Sequence, residues 1–216
     1  MYQARAILDT LDSIRPKIMG SHTKQEIISA LNRAFKPFDA YVTIDNSNTF
    51  KNKSYSMQGW FDPNARGRSI EIRINLNKGK RNLRVKTDKD WQRFRFLISE
   101  FMQHELIHQH QWQYREPEWA YDQYNFHDRG RNARQREQLY LGDKDEIHAY
   151  AHDIAHEIRY YYPDEDPYRV LQDVSNRTRK IKSYGYYKSA FRGCDWSAVH
   201  HRLIKHAYKW IPHIVT

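Results

Sequence analysis

The sequence predicts an α+β fold: helices around a small mixed β-sheet, with a helical segment closing the C-terminus. Three observations point there. Apolar residues recur at helical spacing towards both ends, a central stretch alternates β-branched with polar residues, and 216 residues can bury a proper core. The hydrophobic fraction is only 39%, but 16 Tyr, 9 Phe and 6 Trp supply large apolar area per residue.

Taken in order, "YQARAILDTLDSIRPKI" sets Ile7, Leu8, Leu11 and Ile14 on one helical stripe, which Pro16 is expected to stop. A second helix is expected in "GSHTKQEIISALNRAF", where Thr23 and Glu26 have the spacing of a capping box. Strands follow in "FDAYVTID", "YSMQGWFDP" and "SIEIRINLN". In the last, Ile70, Ile72, Ile74 and Leu76 share one face and Glu71, Arg73 and Asn75 the other, which suggests a wet face or an edge strand. Thr87 and Asp90 then open a helix carrying Trp91, Phe94, Ile98 and Phe101. Residues 117–142 show no sustained apolar period and read as a long connection with room for a helical turn. "KDEIHAYAHDIAHEIRYYY" is the next helix. Asp166 and Pro167 cap another, "SYGYYKSAFRG" reads as loop, and Asp195 is expected to cap the last.

The 36 Lys and Arg against 26 Asp and Glu leave a formal charge of +10, which favours polyanionic partners such as nucleic acid through a basic surface. The basic residues read as scattered, with short clusters in "NKGKRNLRVK" and "NRTRKIK". A single cysteine, Cys194, excludes an intramolecular disulfide and a multi-cysteine zinc ribbon, and fits a reducing compartment. No run approaches 18 apolar residues and the N-terminus has no signal-peptide pattern. The expected location is therefore cytoplasmic, or the host cytoplasm for a viral protein, with no membrane partner.

The stretch "FLISEFMQHELIHQHQWQ" carries the chemistry. Four residues apart on a helix, His104 and His108 can present ring nitrogens to one tetrahedral ion, while Glu105 stands about 100° round the axis. That is the place for a general base acting on a water whose pKa the ion lowers. The apolar series from Trp91 to Phe101, continued, puts the motif on the inward side of its helix. Burying two histidines and a glutamate is costly unless they are paired or bind metal. Two ligands do not complete such a site, and a third must come from elsewhere.

With these residues the chain resembles the zincin metallopeptidases, and among them the gluzincins, in which a glutamate on a following helix is the third ligand. Small zinc peptidases predicted from phage and bacterial sequences look similar, with a D/E-E-I-x-A-Y-A helix after H-E-x-x-H. The resemblance covers residues 91–157. It implies a zincin-like domain over residues 1–165, its small sheet packed on the motif helix, and a helical extension over residues 166–216. It further implies bound Zn2+, hydrolysis of peptide bonds in a protein or peptide substrate, His104, His108 and Glu146 as ligands, and Glu105 as base. The metzincin pattern fails, since Gln111 and Tyr114 stand where glycine and histidine are required.

Where many gluzincins carry an acid four residues after the ligand glutamate, this chain has Tyr150, so Asp153 is the candidate to hold a histidine ring N–H from outside the ligand set. His148, His152 and His156 form a competing stripe, expected to face water because Ile147, Tyr150 and Ile154 define the buried side. "SIEIRINLN" is the candidate edge strand for substrate, and Tyr140, Tyr150, His200, His201 and Tyr208 are candidate electrophiles. The alternative to catalysis is a basic nucleic-acid-binding or assembly protein whose motif is vestigial or holds a structural metal.

Overall fold

A computed structural model describes residues 3–48, 55–78, 83–114, 132–194 and 196–214, and the chain divides into two compact units, Met1–Gln109 and His110–Thr216. The described part is mixed α+β, with eight α-helices and a three-stranded mixed sheet.

The first unit opens with α1 (Ala4–Ile18), β1 (Gly20–Ser21) and α2 (Lys24–Ala34). Pro16 does not stop α1. Two residues from the helix end it forfeits one backbone bond, and the same stripe continues to fully buried Ile18. The Thr23/Glu26 capping box forms as expected. Next come β2 (Ala40–Asn48), β3 (Tyr55–Phe61), β4 (Ile70–Asn77) and β5 (Arg84–Val85). The sheet order is β2-β4-β3, with β2 parallel and β3 antiparallel to β4. β1 pairs antiparallel with β5.

"SIEIRINLN" is therefore the central strand, not an edge. Of the two readings of its alternation the wet face holds: Ile70, Ile72 and Ile74 join the core, whereas Glu71 and Arg73 face outwards, where Glu71 accepts from Tyr41, Thr43 and Arg73. Of the two outer strands, β2 has its free side occupied. The Asn32 amide exchanges hydrogen bonds with both backbone groups of Val42, and Arg68 donates to Ala40 O. Among the described residues, β3 has only β4 as a strand neighbour.

The long helix α3 (Asp88–Gln113) starts at the expected Thr87/Asp90 box and sets Trp91, Phe94, Ile98 and Met102 into the core formed by the sheet, α1 and α2. Near its end, Gln109 donates to Asp39 and Ser69, residues that precede β2 and β4; Asp39 in turn accepts from the Ser69 hydroxyl at 2.6 Å.

The second unit is helical: α4 (Ala133–Gly142), α5 (Lys144–Tyr161), α6 (Pro167–Gln172), α7 (Lys182–Ala190) and α8 (Ser197–Trp210). α5 is the hub, and the other four pack against it through Leu141, Val170, Tyr184, Tyr187, Leu203 and Ala207. Two stretches read as irregular are helices. Asn132 and Gln135 form a capping box for α4, nearly three turns where the connection is expected to hold one, and residues 117–131 of that connection lie outside those described. α7 occupies the supposed loop "SYGYYKSAFRG". Asp166 caps α6 as expected, while Asp195 is outside the described residues. No described helix is long and apolar enough to cross a membrane.

Candidate metal centre

Burial of polar groups is concentrated on two helices. Of eleven buried polar or charged side chains among the described residues, Ser99, Glu100, Gln103, His104 and Glu105 lie on α3, and Glu146, His152, Asp153, His156 and Glu157 on α5. Only Asn75 lies elsewhere. An ionisable side chain loses several kcal/mol of hydration on burial unless partners or a metal replace the water. On each of the two helices, such a run of buried polar groups is unlike an ordinary core.

One helical turn separates His104 from His108, and their Nε2 atoms stand 3.1 Å apart. Two nitrogens bound at 2.0–2.1 Å to one tetrahedral ion would be separated by about 3.3 Å. Glu146 lies in the first turn of α5, just after its cap Asp143. One ligand atom from each of His104, His108 and Glu146 falls within 4.8 Å of the other two. Two imidazole nitrogens and one carboxylate oxygen form the protein donor set of a catalytic zinc that keeps a fourth position open, so the residues present fit that ion. The last turn of α3 is tied to the first turn of α5: Gln111 Nε2 donates to Asp145 O at 3.3 Å and meets His148 Nδ1 at 3.4 Å.

Glu105 occupies a space the sheet leaves for it. On the inner face of β3 the alternation runs Tyr55, Met57, Gly59, Phe61. A Cβ at Gly59 would stand 2.7 Å from Glu105 Oε1 and 2.9 Å from its Cγ. The carboxylate thus rests on the backbone of β3, where any side chain would displace it, and it is not one of the three clustered ligand residues. The sequence reading missed Gly59. Its only signal was the gap in that alternation.

The histidine stripe on α5 departs from expectation. His152 and His156 are buried rather than facing water; their rings stack, and Trp210 of α8 packs edge-on against His152. The apolar residues of α5 mark one buried side, but the helix is surrounded. Asp153 meets the ring nitrogen of His152 on its own helix at 3.2 Å, a histidine outside the His104/His108/Glu146 group.

Of the candidate electrophiles, Tyr150 shares the surroundings of Glu146. Burial first, then the charge of Glu146, drives its phenol pKa far up, so it remains an O–H donor at any ordinary pH. Tyr186, absent from the sequence-based candidates, is pushed up to about 12 by burial, its hydrogen bond with Glu137 and the charges of Glu137 and Glu146. His200 is engaged with the Tyr184 hydroxyl, and Tyr208 lies on Tyr168. Tyr140 and His201 are exposed.

No protein-family model, no curated protein and no solved structure matches this chain significantly.

Proposed function

We propose that the protein is a zinc-dependent peptidase of zincin type, with His104, His108 and Glu146 as ligands and Glu105 as general base. The observation that carries this reading is the convergence of the three ligand atoms next to a carboxylate that belongs to the motif but not to the ligand set. When bound, zinc supplies Lewis acidity: it lowers the pKa of a water and polarises the carbonyl that the water attacks. Glu105 takes the proton from the attacking water and delivers it to the departing amine, a role suited to a buried carboxylate held against β3. Tyr150, kept uncharged by burial and by the charge of Glu146, is the electrophile candidate in this reading. The substrate strand in this reading is β3, which among the described residues pairs only with β4 and can take an extended peptide by β-addition. A peptide paired along β3 would pass the strand position that touches Glu105.

The test is Glu105→Gln, an isosteric change that removes the base and leaves all three ligands. Zinc content by mass spectrometry is expected to stay at one per chain, while cleavage of a quenched-fluorescent peptide library falls by at least about a hundredfold. Undiminished cleavage would refute Glu105 as base, and a purified chain without zinc would refute the metal site.

A further inference from the structure

The formal charge is not spread over the chain. Residues 174–216 hold nine Lys or Arg against Asp195 alone, so they carry +8 of the total +10. Correcting the scattered reading, the remaining 173 residues are close to neutral. Arg177 is paired with Glu165 and Asp173. The other eight cations, from Arg179 to Lys209, are exposed, and none forms an ion pair among the described residues.

On α8 the arrangement is regular. Arg202, Lys205 and Lys209 stand at i, i+3 and i+7, one stripe spanning about 10 Å along the axis. No acidic residue occurs between Ser197 and Thr216. His206, beside the stripe, is held below its ordinary pKa by burial and by these same three cations, so the local field is positive and uncompensated. Tyr208, 58% exposed with its ring against Tyr168, flanks the stripe.

We propose that the outward face of α8, within this basic segment, binds the phosphodiester backbone of nucleic acid irrespective of base sequence. Charge complementarity selects a polyanion. The apolar stripe of α8, with Leu203 and Ala207, is already buried against the core of its own unit, as is Ile211 just after it, so the helix has no face left to insert into a lipid surface. Regularly spaced cations with no acid among them suit a phosphate-lined partner. The proposal stands independently of the zinc reading.

The experiment measures binding of the full-length chain to a fluorescent 20-base-pair DNA duplex of mixed sequence, and to its single strand, across a salt series. Neutralising three phosphate contacts with R202Q/K205Q/K209Q should lower the slope of log K against log salt by about 2.7 for the duplex and about 2.1 for the single strand. Affinity at 0.1 M salt should fall at least about tenfold, with unchanged circular dichroism. A control with equal charge loss, K17Q/K36Q/K89Q, should keep the native slope. Four results would overturn the proposal: no duplex or single-strand binding by the native chain at 50 mM salt, an unchanged slope in the α8 variant, an equal loss in the control, or tighter binding to phosphatidylserine vesicles than to either DNA at the same salt.

Discussion

A methyl group at position 59 would stand 2.7 Å from the oxygen of Glu105, and this contact is the most sensitive point of the site. Gly59→Ala is expected to push the carboxylate aside while leaving His104, His108 and Glu146 in place. Zinc content should stay at one per chain and peptide turnover should drop about a hundredfold, the usual cost of misplacing a catalytic group by about 1 Å. Steady-state kinetics beside metal analysis checks this, and full activity in the variant would show that the base does not work from this position. At residue scale the motif was legible because one turn of helix fixes the spacing of His104, Glu105 and His108. Gly59 was not, since its meaning depends on which face of β3 meets α3. The burial of His152 and His156 was misread for a related reason: an apolar stripe reveals one packed side of a helix and says nothing about the other.

Elements with a strong local signal were legible. The capping boxes at Thr23 and Thr87, the alternation of β4 and the stripe of α1 all state a period that the structure keeps. α7 has no such signal. Its Gly185 reads as a breaker, yet a Cβ there would press to 3.2 Å from the backbone oxygen of Thr178, so the glycine serves close packing. The residue preceding α7, Ile181, offers no side-chain cap; Glu157 of α5 supplies one, accepting from Ser183 N at 3.1 Å. That carboxyl is buried, and its pKa is pushed up to about 8 from an ordinary 4.5, by desolvation first and then by Asp153, with the Lys182 charge and backbone donors opposing. A folded-state pKa above the unfolded one means that stability is fully present below about 4.5 and is lost as pH rises through about 8. Glu157→Gln should flatten this dependence. Urea unfolding at pH 5 and pH 8 is expected to show a loss on the order of a few kcal/mol in the native chain and little in the variant. Equal slopes in both would remove Glu157 as the source.

Across the whole molecule, the mixed α+β class was legible from the placement of its periods. The order of the strands was not, because a parallel crossover between β2 and β4 leaves no local mark on either strand. The asymmetry of charge is legible in the sequence, since it lies in where acids are missing and not in where basic residues cluster. Catalysis by the zinc reading requires residues 42 positions apart, His104 and Glu146, to serve one ion. The most direct measurement is X-ray absorption at the zinc edge on the purified chain and on Glu146→Ala. One zinc per chain is expected, with two imidazole nitrogens and carboxylate oxygen at about 2.0–2.2 Å, and loss of the carboxylate in the variant. A first shell without histidine, or one unchanged by Glu146→Ala, would contradict the zinc reading.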